Sequence, residues 1–370
     1  MTAIRTQVSP EASTTRTGLL VLSDGTTFSG RPVGAPAEVT TGELVFNTAL
    51  SGYQEVLSDP SYAGQIIAFT YPQIGNYGVT VADNEAQTVA CRGIIVRDLT
   101  RRASNWRASS SLEEYLVEHA IAGLSGVDTR RLTRHIRAVG AITCAFGTAE
   151  EAVLLAAARS EPGTLGVDLV QEVTTPAPYV VGGGPYDVVV YDFGVKATMI
   201  AQLSRFARVL VVPARTPPEE VLRRRPSGVL LSNGPGDPAA LPDLVATVRS
   251  LVGSVPLFGI CLGHQLLGTA LGGSTYKLEF GHHGANHPVQ RLSSGAVEIT
   301  AENHGYAVRE GSIPDAAVTH RNLNDGVIEG LAAVGERAFS VQYHPEAGPG
   351  PHDARYLFAE FQQLMERTNR

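Results

Sequence analysis

Val255-Pro256-Leu257-Phe258-Gly259-Ile260-Cys261-Leu262-Gly263-His264-Gln265 is an apolar run that ends in Gly-x-Cys-x-Gly. A helical stretch follows, Gln265 to Leu271, closed by Gly272-Gly273. Strand, tight turn and helix in that order make a nucleophile elbow, here with cysteine in place of serine. Such a turn holds the nucleophile in a sparsely allowed backbone region, so its neighbours must be small. Gly259 and Gly263 then let strand and helix approach closely. The thiol is expected to point out of the sheet at the positive end of the helix, where the dipole favours thiolate. A lone cysteine between glycines also reads as a buried small hydrophobe, so the assignment depends on partners elsewhere.

A cysteine nucleophile needs a base, and the base needs an orienter. Phe339 to Tyr343 reads as a strand that ends in His344-Pro345-Glu346. Glu346 can accept the second imidazole N–H of His344, which fixes the tautomer and stabilises imidazolium. An acyl intermediate also needs oxyanion donors. One is expected from the N–H of Leu262, next after the nucleophile. The Gly234-Pro235-Gly236 turn can bring a second, and Gly234 is the better candidate because Pro235 has no N–H. One such donor contributes about 3 kcal/mol in the transition state.

Working outward, residues 185–370 alternate regularly between strands and helices. Strands are expected at Asp187 to Tyr191, Arg208 to Val212, Gly228 to Leu231 and Leu257 to Ile260. Helices are expected at Lys196 to Phe206, Pro218 to Arg224 and Leu244 to Leu251. That is a doubly wound open sheet, whose sites lie at the carboxyl ends of strands. Ala296 to His344 is richer in strands, and Arg355 to Arg367 closes as a helix. Gly182-Gly183-Gly184-Pro185 marks the boundary with a first domain at 18–184. There, Gly18 to Phe28 reads as a hairpin around Asp24-Gly25, followed by strands at Glu43 to Asn47, Gln65 to Thr70 and Gly93 to Arg97. Helices are expected at Ser111 to Ala122, Asp128 to Val139 and Ala149 to Ser160. This half reads as strands first and helices later, without βαβ repetition.

The 370 residues are 43% hydrophobic and 18% charged, with a net charge of −7 and no basic tract, which argues against nucleic-acid binding. Cys91, Cys144 and Cys261 form an odd set without CxxC, so neither a disulfide framework nor a thiolate zinc site is expected, and a reducing cytoplasm fits. No apolar run reaches membrane-spanning length. Residues 1–17 read as a disordered tail and not a signal peptide. Lys196 and Lys277 are the only lysines; their scarcity reads as codon bias without mechanistic content. His282, His283 and His287 have no Cys or Asp at ligand spacing, so no metal is expected, and Phe280 to Pro288 reads as a structural or interface loop. No GK[ST] follows Gly234 and Gly236, so no ATP site is expected on this chain.

The stretch from about Asp187 onward resembles class I glutamine amidotransferase domains. Gly259-Ile260-Cys261-Leu262-Gly263-His264-Gln265 and His344-Pro345-Glu346 match that family's nucleophile and base–orienter motifs. Nearly the whole chain resembles the small, glutamine-hydrolysing subunits of carbamoyl-phosphate synthetases. The matching blocks are Ser232 to Pro238, Phe280 to Pro288, Asn47-Thr48, Ser51 to Glu55, Asp59 to Tyr62 and Gly126 to Arg130. The resemblance implies an α/β architecture: an N-terminal mixed domain of swivelling β/β/α type and a C-terminal flavodoxin-like amidotransferase domain. It implies Cys261 as nucleophile, His344 as base and Glu346 as orienter. It implies glutamine contacts at Gly234, Gly236, Leu262, Gln265, Asn303, Gly305 and Tyr306, the last where many members have Phe. One further contact comes from the N-terminal domain at a position that is often serine and here is Ala49.

The implied chemistry is attack of the Cys261 thiolate on the glutamine side-chain amide, loss of ammonia with a proton from His344, and hydrolysis of the thioester. Ammonia would pass through a tunnel to a large subunit that holds ATP and Mg, within a cytoplasmic heterodimer that makes carbamoyl phosphate for arginine and pyrimidine synthesis. No cofactor is expected on this chain. Two other readings compete: a non-catalytic regulatory subunit, which intact Cys261, His344 and Glu346 disfavour, and a free-standing cysteine hydrolase, which a first domain without reactive groups disfavours.

Overall fold

A computed structural model describes residues 17–368, apart from 314, 315, 334 and 336. The tail expected at 1–17 therefore lies, but for residue 17, outside the described residues. The Asp24-Gly25 turn does form a hairpin: Gly18–Leu22 pairs antiparallel with Thr27–Gly34, and Gly25 takes a φ of 92°. These two strands join five others in a closed barrel, in the order Gly18–Leu22, Thr27–Gly34, Ala122–Ser125, Gly93–Val96, Gln65–Phe69, Thr40–Asn47 and Ile142–Gly147. Leu20, Leu44, Ile66, Ile95, Leu124 and Phe146 fill it, with Leu132 and Ile136 of the helix Thr129–Val139 packed on the same cluster. Each such side chain contributes about 1.5–3 kcal/mol by leaving water.

Two expectations for this domain are corrected. The helix from Ser111 ends at Glu118, and Ala122 already begins a strand. Ser111 caps that helix reciprocally with Glu114, as its sequence suggests. The strands are also not all early in the chain. Thr40–Asn47, Gln65–Phe69, Gly93–Val96 and Ala122–Ser125 pair in parallel, so helical crossovers are present after all. Ala122-Gly123-Leu124-Ser125 is buried throughout and so shows no alternation. Its glycine fits a close approach, since a Cβ on Gly123 would lie 2.6 Å from Ile94 Cγ1.

The second sheet has ten strands. Its parallel part runs Ala207–Pro213, Tyr186–Asp192, Gly228–Leu231, Leu257–Ile260 and Ala338–Val341, the flavodoxin-like order 2-1-3-4-5. One face packs on the helices Pro242–Leu251 and Leu262–Ala270, the other on Ala197–Ser204 and Tyr356–Thr368. Tyr179–Val181, ahead of the three glycines, adds antiparallel to one edge. Beyond Ala338–Val341 follow Ile328–Ala333, Ala316–Asn322, Thr275–Arg291 and Val297–Val308, all antiparallel. The Phe280 to Pro288 block is thus part of a long strand and not a loop. No helix among the described residues is long and apolar enough to cross a membrane.

Candidate active site

Three adjacent parallel strands deliver the chemistry at their carboxyl ends. Gly228–Leu231 leads into Ser232-Asn233-Gly234, Leu257–Ile260 into Cys261, and Ala338–Val341 into Gln342-Tyr343-His344. Cys261 has φ 54° and ψ −106°, a conformation that costs about 1–3 kcal/mol for a residue with a side chain. Surrounding contacts hold it there. Its N–H donates to Val341 O at 2.9 Å, and the Gly263 N–H donates to Ser232 O at 3.0 Å. A Cβ on Gly263 would lie 2.7 Å from the Leu231 carbonyl carbon, and one on Gly259 would lie 2.7 Å from Gly263 O. The small neighbours are therefore a packing requirement of the turn, as the sequence suggests.

His344 Nδ1 and Glu346 Oε1 are 2.7 Å apart, while His344 Nε2 has no hydrogen-bond partner. All three side chains are buried, Cys261 being only 2% exposed. Burial works against ionised Glu346, but the charges of Lys196 and His344 outweigh it and lower the carboxyl to about 2. Burial likewise works against protonated His344; Glu346, chiefly, reverses this and raises the imidazole to about 10. Burial raises the Cys261 thiol, with His344 acting in the opposite sense. Desolvation thus opposes the thiolate that the helix dipole and His344 favour. The thiol donates instead to Asn303 O at 3.5 Å.

Gly234, Gly236, Cys261, Gln265, Asn303, Gly305 and Tyr306 line one cleft. Gln265 Nε2 donates to Tyr306 O at 2.8 Å, tying the nucleophile helix to the strand Val297–Val308. The N–H groups of Leu262 and Gly234 make no hydrogen bond among the described residues. Ala49 does not join this group. It lines a second small cavity with His344, Lys196 and Gly284, and its N–H donates to Asn47 Oδ1 at 2.8 Å. The cleft at Cys261 has a volume of about 20 Å³, room for little more than one water.

Several contributors escaped the sequence reading. The first domain supplies Ser61 and Gln65 to the cleft, and Thr164 of the connecting segment lines it too. Asp59 accepts from Asn303 Nδ2 at 2.9 Å and Asn233 Nδ2 at 3.3 Å, bridging a strand and a loop of the other domain. His283 faces the cleft and contacts Asn303 Oδ1 at 2.9 Å. Both lysines prove functional in the architecture. Lys196 Nζ lies 3.1 Å from Glu346 Oε1 and donates to Ala347 O at 2.5 Å. Lys277 pairs with Glu43 across the domain boundary and sits over the Tyr306 ring. Their rarity in the sequence was the available signal.

The family model described as "Carbamoyl-phosphate synthase small chain, CPSase domain" matches residues 20–146, and "Glutamine amidotransferase class-I" matches residues 189–364. The carbamoyl phosphate synthase small chain of Syntrophotalea carbinolica is 50% identical over 369 residues, covering 95% of this chain and 98% of that one. The small chain of Chlorobaculum tepidum is 49% identical over 358 residues, covering 94% and 98%, and that of Listeria monocytogenes is 49% identical over 352 residues, covering 94% and 96%. The chain belongs to the carbamoyl-phosphate synthase small-chain family. Membership fixes its two-part organisation, a small-chain domain followed by a class I glutamine amidotransferase domain.

Lys196 generates a test within this site. Glu346 has a lowered pKa, so its contribution to stability is complete above about pH 4.5 and is lost as pH falls toward 2. Lys196→Met leaves that carboxylate buried without its main counter-charge. It should cost about 3–5 kcal/mol and move acid unfolding to higher pH. Arg208→Met, in the exposed pair with Asp187, should cost less than about 1 kcal/mol. Urea denaturation followed across pH 2–7 measures both.

Proposed function

We propose that this chain is the glutaminase of a carbamoyl-phosphate synthase, with Cys261, His344 and Glu346 as its catalytic triad. The observation that carries the reading is the free Nε2 of His344, on an imidazole whose other nitrogen is held by Glu346, beside a cysteine in a strained turn. His344 takes the thiol proton as Sγ attacks the side-chain carbonyl carbon of L-glutamine. Negative charge moves to the carbonyl oxygen, where the Leu262 and Gly234 N–H groups can receive it. Collapse breaks the C–N bond, and His344 returns the proton to the leaving ammonia. Water, deprotonated by His344, then attacks the thioester; glutamate leaves and the thiol is restored. Gln265, Asn303, Gly305 and Tyr306 surround the substrate stem. Glu346 orients the imidazole and stabilises its cation, and Lys196 keeps Glu346 ionised.

The relatives' name, small chain, supports a large partner subunit in a heterodimer. ATP and Mg belong on that subunit, where ammonia delivered from this chain would meet activated bicarbonate to give carbamoyl phosphate for arginine and pyrimidine synthesis. No cofactor is needed for the hydrolysis itself. The three free cysteines suit a reducing cytoplasm. Ala49 and Gly284 line a small cavity with His344 and Asn303, next to the proposed site.

In the assembled enzyme, Cys261→Ser should abolish carbamoyl phosphate synthesis from glutamine and spare synthesis from added ammonia. Glutamine-dependent turnover above about one per cent of wild type would refute the nucleophile, whose loss costs several orders of magnitude. A second expectation follows from the narrow cleft and the buried thiol. The chain alone should hydrolyse glutamine slowly and accelerate when the large subunit, bicarbonate and ATP are added. A tenfold rise needs only about 1.4 kcal/mol of preferential binding to the open state. Ammonia release measured with and without all three decides it; equal rates would point to an uncoupled hydrolase.

A further inference from the structure

Behind the substrate strand, four buried side chains from three strands meet at one point. His282 comes from Thr275–Arg291, Glu302 and His304 from Val297–Val308, and Glu329 from Ile328–Ala333. One donor atom from each lies within 4.8 Å of all the others. His304 Nε2 is 3.3 Å from Glu302 Oε2, and His282 Nδ1 is 3.6 Å from Glu329 Oε1. Each of the four has one side-chain atom with a partner outside the cluster. His282 Nε2 is 2.7 Å from Asp325 Oδ2, and His304 Nδ1 is 2.8 Å from Tyr306 O. Glu302 Oε1 accepts from Thr300 Oγ1 at 2.7 Å, and Glu329 Oε1 accepts from Asn322 Nδ2 at 3.0 Å. The inward-facing atoms, His282 Nδ1, Glu302 Oε2, His304 Nε2 and Glu329 Oε2, have no hydrogen-bond partner.

Four buried polar atoms, each lacking a partner and all directed to one point, need an explanation beyond mutual packing. With each imidazole donating its outer N–H to an acceptor, its inner nitrogen carries the lone pair that a metal requires. With a metal bound and both imidazoles deprotonated at the inner nitrogen, two carboxylates and two neutral imidazoles would total two negative charges, which a divalent cation cancels. Two nitrogen and two oxygen donors are a tetrahedral set suited to zinc. Carboxylate and carbonyl acceptors on the histidines are the usual outer shell of such a site. We propose that His282, Glu302, His304 and Glu329 bind a zinc ion that fastens the substrate strand to Thr275–Arg291 and to Ile328–Ala333. The sequence argument against a metal considered spacing along the chain, and these donors are 47 positions apart at their extremes (282 and 329). Glu302 and His304 flank Asn303, whose carbonyl meets the Cys261 thiol. Given the proposed glutaminase reading, the ion would be structural and would hold the substrate strand in place without joining the reaction.

The test uses the full chain without a polyhistidine tag, in a Cys261→Ser background so that the active-site thiol takes up no zinc. After expression in zinc-supplemented medium and dialysis, elemental analysis should find about one zinc per chain. Calorimetric titration of the chelator-stripped chain with Zn²⁺ should give one tight site. Glu302→Gln/Glu329→Gln, nearly isosteric with the parent, should retain its circular dichroism and cooperative unfolding and hold less than about a tenth of that zinc. Asp325→Asn, which alters the acceptor of His282 and keeps an amide oxygen for the Val327 N–H, should weaken zinc binding roughly 10–100-fold. A parent that neither retains nor binds zinc overturns the proposal, as does a folded double variant that binds it equally well. If the double variant does not fold, unchanged affinity in Asp325→Asn overturns the proposal.

Discussion

A carboxylate with no exposed surface, Glu346, sets the terms for the rest of the structure. Such a charge survives in a protein interior only when countered and hydrogen-bonded. Lys196 and His344 both do this at its Oε1, and each is held by a different part of the fold. His344 ends the strand Ala338–Val341, whereas Lys196 caps the helix after the first parallel strand. That helix depends in turn on the first domain: Glu85 accepts from Thr198 N at 2.9 Å and Thr198 Oγ1 at 2.6 Å, and its carbonyl accepts from Ala197 N at 2.8 Å. The orientation of one imidazole is therefore tied by direct contacts to the barrel.

The domain boundary is accordingly part of the site. Asp59 spans Asn233 and Asn303, so the loop beside the nucleophile and the substrate strand share one anchor from the other domain. Thr48 N donates to His283 O at 3.1 Å, and Glu43 meets Lys277 behind Tyr306. These are polar contacts between largely buried groups, where a small change in geometry carries a large energetic penalty. An interface built this way suits a site that opens when something outside it shifts the domains, and the nearly closed cleft at Cys261 fits that behaviour.

Much of this was legible in the sequence because it follows from local rules. The elbow needs glycines on both sides of the cysteine, the parallel strands announce themselves as β-branched runs, and an Asp-Gly turn makes a hairpin. Ala122–Ser125 and Ile142–Gly147 were not read because short strands buried on both faces and rich in small residues carry no period. Lys196, Asp59 and Thr164 were missed as site residues for another reason. Their roles come from tertiary proximity across more than a hundred positions, and nothing in their immediate neighbours signals it. Ala49 was placed by its position in a motif, and it lines a small cavity that shares His344 and Asn303 with the site. The burial that opposes a Cys261 thiolate was not legible, because a helix dipole is local and visible in sequence whereas desolvation is not.

What unites these features is that Cys261, alone among the three cysteines, lines the cleft and stands beside an imidazole held by a carboxylate, as the proposed glutaminase reading requires. Cys91 and Cys144 are buried in the first domain, where desolvation raises both thiols and no base is positioned beside them. Treatment of the complex with its large subunit by an electrophilic glutamine analogue, followed by peptide mass mapping, tests this most directly. One adduct per chain, on Cys261, with Cys91 and Cys144 unmodified, is the predicted result. An adduct on either of those residues, or none on Cys261 in the active complex, would contradict it.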